Sequence, residues 1–363
     1  MNADTRMSVP SSDLTSDPAV LPEYRRVGAY DDMTDTPEDL ASWPALSEIL
    51  ALCRDTVTAA YLRADAKALR NQRRHRLITV FAIVFGTLAV LLAVVQLSHL
   101  IDATWPASLE ALAAIIAAVS VTLGLVASQQ INWLVERHKA ERCRLLKYRF
   151  LIDPALWTGA TARAERIATL RAELAEIEGL RRSGLHHWIE EDELPEVPDF
   201  RAGTLPDRAT LTVLTDYYLR KRLDVQAKFF EDRARRNVRQ DALTRRLPPA
   251  LFFGSVLAAL GHFSYDLATG DHGASTISVL LIVLAVVLAV IGAGVRTFRG
   301  AHEFARNTNR FRAKYIALSH LRDRLRHETD PASVCRDLWY SEQILESEHR
   351  EWLRLMIDAE WFG

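Results

Sequence analysis

The sequence predicts an all-α integral membrane protein. Four transmembrane helices form two tandem helical hairpins, and long cytosolic helices build a bundle upon them. Three observations carry this prediction. Residues 77–97 (LITVFAIVFGTLAVLLAVVQL) hold no charge and no proline. At 1.5 Å per residue they make a helix of roughly 30 Å, the thickness of a bilayer's hydrocarbon core. Residues 111–134, 248–265 and 277–295 resemble this block, and a soluble helix of such length would keep a polar face. The Arg/Lys-rich flanks and an internal repeat complete the case.

The net charge of −1 and mean hydropathy of −0.02 would suit a soluble protein. That average hides four apolar blocks set between charged segments. The first forty residues contain nine Asp/Glu against three Arg and no apolar run. Residues 1–43 are therefore expected as a disordered acidic tail without a secretory signal. Cys53, Cys143 and Cys335 are too few and too scattered for a disulfide framework or a zinc site.

From Ala45 to Arg76 an apolar stripe of Leu46, Ile49, Leu50, Val57 and Tyr61 predicts a helix running straight into the first span. Residues 62–76, 129–149 and 233–246 each carry six Lys/Arg, and residues 296–312 carry five. The loops around Trp105 and Tyr265 carry none. By the positive-inside rule both termini and residues 135–247 are cytoplasmic, in a cell's inner (plasma) membrane, with the two short loops outside. Arg144–Leu151 (RLLKYRFL) follows the second span much as Phe311–Leu318 (FRAKYIAL) follows the fourth. The expected organisation is a first two-span module over 44–155, a helical linker with a proline-containing loop over 156–207, a second module over 208–357 and a tail over 358–363. Each module has an even number of spans, so the repeats are parallel.

Within the linker, Thr161 to Arg182 is helical by composition. A helix from Arg208 to Arg246 presents a seam of Leu211, Leu214, Tyr218, Val225 and Phe229, and Pro248–Pro249 are expected to break it at the membrane surface. A final helix over 332–357 aligns Val334, Leu338, Leu345, Trp352 and Met356. These two are expected as antiparallel neighbours.

The helical patterns reached here carry a resemblance. Tyr218-Leu219-Arg220-Lys221-Arg222-Leu223-Asp224-Val225-Gln226 with Phe229, Phe230 and Ala234, and Glu342 and Leu345 with Glu348 and Trp352, are similar to SLATT-type two-span bacterial membrane domains. The first module resembles a sister branch through Tyr61, Asp65 and Gln72. The resemblance implies a membrane effector. Some members occur beside nucleotide-second-messenger synthases or sensors in prokaryotic conflict systems, where they are proposed to form pores. It implies a cytosolic sensor or signalling protein as partner, and no catalytic residues.

Each span carries small residues in steps of three and four. They are Gly86, Ala89 and Ala93; Ala113, Ala117, Ser120 and Gly124, with Thr122 nearby; Gly254, Ala258 and Gly261; and Ala285, Ala289 and Gly292. Such stripes let helices approach closely. They serve packing inside the bundle, or one of them, the second with Ser120 and Thr122, lines a pore between protomers. No Asp, Glu, Lys or Arg lies mid-span, with Glu110 and His262 only at the outer edge, which argues against an ion-coupled transporter. His186-His187-Trp188 with Glu190, Glu191 and Asp192 lacks a second ligand pair at helical spacing and reads as a solvated loop. Phosphate-loop, dinucleotide and serine-hydrolase motifs are missing. The arginines near Arg73 and Arg235 set orientation and contact anionic lipid rather than nucleic acid.

The expected function is a homo-oligomeric, pore-forming membrane effector controlled from its cytosolic helices, with the lipid bilayer as its medium and neither enzymatic activity nor a cofactor. The alternative is a membrane-anchored scaffold that recruits a partner through the seams at Leu214/Tyr218 and Leu345/Trp352.

Overall fold

A computed structural model describes residues 30–97, 105–126, 129–190, 196–198, 200, 205–270, 275–302 and 304–358. It is all-helical, with no strand among the described residues. A short α1 (Pro37–Ser42) and α2 (Ser47–Cys53) lead through one wide π-turn, Arg54–Thr58, into α3 (Ala59–Leu97). Next come α4 (Trp105–Val126), α5 (Gln129–Ile152), α6 (Ala160–Gly179) and α7 (Arg182–Glu190). The second half repeats the order: α8 (Arg208–Tyr218), a second π-turn at Leu219–Leu223, α9 (Asp224–Thr269), α10 (Thr276–His302), α11 (Phe304–His327) and α12 (Pro331–Asp358).

Among the described residues, four helices are long and apolar enough to cross a membrane. The first and third crossings are the apolar ends of continuous helices of 53 and 62 residues, so each span is a rigid extension of a polar helix. α3 packs on α4 and α5, and α9 on α10 and α11. The hairpins meet along α3 and α10, where a Cβ on Gly294 would lie 3.7 Å from the Thr87 hydroxyl. The polar layer has a core drawn from both modules, with Leu50, Val57, Leu146, Leu214, Phe230, Leu318 and Leu338 all buried. Burial of this shared apolar surface is the main force joining the halves. The α8 and α12 seams are indeed neighbours, with Leu211, Leu214, Val334 and Leu338 inside.

Several expectations need correction. Residues 1–29 lie outside the described part of the acidic tail, but residues 30–43 are ordered, with Asp32, Met33, Asp35 and Trp43 buried. The partners of Asp32 and Asp35 are cations far along the chain, which composition does not reveal. No break occurs at Pro248–Pro249, because α9 runs through both. The prolines remove two amide donors, yet α10 lies hard against this turn. A Cβ on Gly292 would sit 3.5 Å from the Leu251 Cβ and 3.6 Å from the Pro248 carbonyl oxygen, and packing of this kind sustains proline-containing helices at membrane depth.

The second crossing helix begins at Trp105 rather than Ala111, and the polar Gln129, Gln130 and Asn132 belong to α5. Trp105 and Tyr265 are therefore helical, not loop residues. α9 ends instead at Gly270, whose φ of 68° is the left-handed turn that glycine adopts without strain. Around His187 the chain is helical too. Leu185 and Trp188, three residues apart, are both buried, while His187 is exposed. Glu191 and Asp192 lie outside the described residues.

Candidate functional site

The feature that distinguishes the polar layer is a set of charges buried where both modules meet a strap formed by residues 30–36. Asp31 shapes the strap, its carboxylate accepting from the Met33 and Thr34 amides at 2.9 and 3.1 Å. Thr36 and Asp39 then form a reciprocal cap that starts α1. Between these turns the strap dips into the protein. The Asp32 carboxylate accepts from the Arg222 Nη1 at 2.6 Å and the Gln226 amide at 2.7 Å, and its other oxygen pairs with Arg144 Nε at 2.9 Å. Lys147 Nζ donates to the Met33 carbonyl at 2.9 Å and to Asp35 at 2.8 Å, while Tyr217 donates to Asp35 at 2.9 Å. Tyr148 donates to the Asp32 carbonyl, and the Thr58 hydroxyl to the Met33 carbonyl at 3.1 Å.

Both π-turns thus face the strap, one through Thr58 and the other through Lys221 and Arg222. Wide turns of this kind re-aim side chains that a regular helix would direct elsewhere. Arg222 also reaches α12, gripping Glu342 in two parallel hydrogen bonds of 2.9 and 2.8 Å while its guanidinium stacks 4.5 Å over the Tyr148 ring. Tyr218 donates to the same Glu342 at 2.6 Å. On the other side Arg144 holds Tyr61 at 2.7 Å and Glu141 at 2.9 Å, and Arg137 ties Glu141 to Asp65 of α3. One chain of charges therefore runs from α3 through α5, the strap and the second π-turn to α12.

Burial opposes the charge on Arg222, but Glu342 and Asp32 outweigh it and hold the guanidinium firmly protonated. Arg144 is held likewise, against the same burial penalty, by Asp32 and Glu141. Desolvation of the half-buried Glu141 favours its neutral form, yet Arg137 and Arg144 keep it ionised far below the usual carboxylate range. Burial raises the phenols of Tyr148, Tyr217 and Tyr218, so they remain donors. Buried pairs of this kind repay their desolvation only when the geometry is complete. What the arrangement does chemically is hold: it joins cations of two modules through the carboxylates of one short segment.

Most of the motif residues named from sequence fall in or beside this clamp. Tyr61, Asp65, Tyr218, Arg222, Gln226 and Glu342 are members of it. Phe230 is core, packed on Phe311, and Trp352 packs on Trp133 and His349. Glu348 lies 3.5 Å from Arg310, its carboxyl pushed up to about 7 by burial. Gln72 and Ala234 are only half-buried. Sequence reasoning missed Asp32 and Asp35, hidden in a polar segment. It also missed Arg144, Lys147 and Tyr148, whose signal was present as charged positions inside the repeated RLLKYRFL.

The small residues of the spans sit largely between helices of one hairpin. Gly86 faces Ala117, Gly254 faces Leu288 and Gly261 faces Leu281, while Ala113, Ser120, Ala258, Ala285 and Gly292 are buried and Gly124 and Ala289 half-buried. Thr122 points outward, away from the Ser120 face, because two positions along a helix turn a side chain through about 200°. Both hydroxyls are satisfied by their own helix, at the Ile116 and Ala118 carbonyls.

Beside the clamp, His138 and His349 share a hydrogen bond of 3.0 Å, and Trp188 of α7 packs on both rings under the Arg350 guanidinium. Burial lowers both imidazoles, His349 to about 4. Because an unfolded histidine titrates near 6.5, the unfolded chain binds more protons at mildly acid pH. The stability these histidines contribute is whole above pH 6.5 and is lost as pH falls towards 4. Glu348, raised instead, contributes in the opposite sense over part of that window. His349→Gln is therefore expected to flatten the fall in melting temperature between pH 7 and 5, measured by thermal scans of the detergent-solubilised protein.

All-helical among the described residues, with four membrane-length helices there and an ion-clamped polar layer, the chain falls in the class of multi-span membrane proteins. Within it, residues 59–207 match the model of a family described as SMODS and SLOG-associating 2TM effector domain 3. That segment opens at the first residue of α3, takes in the first hairpin and the linker, and closes just before α8; over it the chain is similar to a SLATT-type domain. No curated protein and no solved structure matches the chain.

Proposed function

We propose that this chain is a membrane effector of the bacterial inner membrane, with its polar layer and both termini in the cytosol. The strap holds the two hairpins at rest, and release of the clamp lets copies of the chain assemble and open the bilayer. The family match of the first module supports the class. One observation carries the control element: the Asp32 carboxylate touches Arg144 of the first module and Arg222 of the second, so one event at the strap is felt by both. Lateral surface for assembly is ample, since only 6 to 17% of each apolar window is buried within the chain. Most small residues pack inside their own hairpins, so a conduit between copies would draw on outward positions such as Thr122, or on faces freed when the hairpins part, and would be weakly selective and gated by dewetting. Neither catalysis nor a cofactor has a place in this reading, and association with a conflict system or a cytosolic sensor follows from kinship alone.

The scaffold reading is less well supported. Leu214, Tyr218 and Leu345, the residues that would recruit a partner, are buried within the same chain. Induced expression with a membrane-potential dye tests the proposal, comparing wild type with Asp32→Asn at matched membrane levels. Stronger depolarisation by the variant is expected. Unchanged potential in both, even with neighbouring genes co-expressed, overturns the pore; a monomer without an axial opening that co-purifies with a partner would put the scaffold in its place.

A further inference from the structure

We infer that the cleft between α3 and α5, at the membrane entrance of the first hairpin, binds the phosphate of an anionic phospholipid. The cleft, about 380 Å³, is lined by Lys67, Arg70, Asn71 and Arg74 of α3 and by Asn132 and Glu136 of α5. Positions 67, 70, 71 and 74 share one helix face. Arg74 stands three residues before Leu77, where the apolar block opens, so it lies roughly 5 Å above the hydrocarbon and within the headgroup layer. Arg70 and Lys67 continue the ladder away from the membrane.

Two features separate this site from the general basic collar. The first is pairing. On the same two helices Arg63 pairs with Glu178 and Arg137 with Asp65 and Glu141, while Arg73, which does not line the cleft, has no carboxylate partner among the described residues. Lys67, Arg70 and Arg74 pair with no carboxylate among the described residues, and the cleft's own acid, Glu136, is turned to Lys139 at 3.8 Å. The second is asymmetry between the modules. A hollow on α9, nearer to its own apolar block, is lined by Ala242, Leu243, Arg246, Leu247 and Ala250, with one cation. Orientation in the membrane needs only nearby positive charge, so it does not account for three unmatched cations gathered with two amides in one cleft. A phosphodiester does: it accepts several hydrogen bonds and carries the missing charge, and a lipid delivers it at this depth. This inference is independent of the pore.

The test uses the full chain in detergent, titrated with short-chain phosphatidylglycerol, phosphatidylcholine or inorganic phosphate. Retained lipid is counted by native mass spectrometry. The triple variant Lys67→Gln, Arg70→Gln, Arg74→Gln is compared with a control, Arg235→Gln, Arg236→Gln, which removes charge near the second hairpin. Side chains at 67, 70 and 74 are exposed, so the variant is expected to fold, checked by circular dichroism. Wild type and control should retain phosphatidylglycerol over phosphatidylcholine, and the triple variant should bind it about tenfold more weakly or worse, each cation near a charged surface being worth roughly fivefold. Equal loss in both variants, or no preference for phosphatidylglycerol in wild type, overturns the site. Saturable binding of inorganic phosphate through the same three residues, without lipid retention, overturns the lipid assignment in favour of a soluble phosphate ligand.

Discussion

Asp32→Asn is expected to cost about 3–5 kcal/mol, the usual penalty for removing one partner from a buried ion pair. The carboxylate is fully buried between Arg144 and Arg222. Asparagine keeps the shape and can still face Gln226, but it leaves two guanidinium groups close together without their shared anion. Arg222 retains Glu342 and Arg144 retains Glu141, which places the cost towards the lower end of that range. Limited proteolysis and thermal denaturation, read together, separate two outcomes. Cleavage near residues 30–36 well below the melting temperature would mean that the strap lets go before the bundle does. An unchanged melting curve with a protected strap would show that the clamp holds nothing.

Arg222→Met is expected to be at least as damaging and to carry a pH signature opposite to that of the buried His138 and His349. Methionine fills part of the space but leaves Asp32 and Glu342, both fully buried, without the cation that separates them. Tyr218 still donates to Glu342, and Arg144 and Gln226 still face Asp32, so the whole site is not lost. In the variant one carboxyl is driven towards its neutral form, its folded pKa rising above the unfolded value. Stability so linked is present at acid pH and lost as pH rises through the folded pKa. The gap between variant and wild type should thus be about 3–5 kcal/mol near neutral pH and narrow towards pH 4.5. Denaturant titrations at several pH values would show this, and a gap independent of pH would disprove it. Adding Glu342→Gln should cost less than the two single losses summed, because the pair acts as a unit.

How much of this was legible in the chain depends on how local each property is. The polar bundle was readable in outline: the seams of Leu211 and Leu214 and of Val334 and Leu338 do face each other. Where the reading failed, distant partners decided. Pro248 and Pro249 look like a terminus until α10 is laid against them through Gly292. Trp188 looks solvated until His138 and His349 are brought beneath it. The motif around Arg222 was visible, but its role was not, since Asp32 lies 190 positions away.

Alone, the sequence determined that four helices are long and apolar enough to cross a membrane and that they come as two tandem hairpins. Both properties are sums over consecutive residues, because each apolar side chain adds its own transfer free energy whatever the rest of the chain does. Only the tertiary structure decided that an acidic segment becomes a buried strap. A carboxylate in water has no reason to leave it, and burial becomes favourable only after folding has set Arg144, Lys147 and Arg222 in place to receive it.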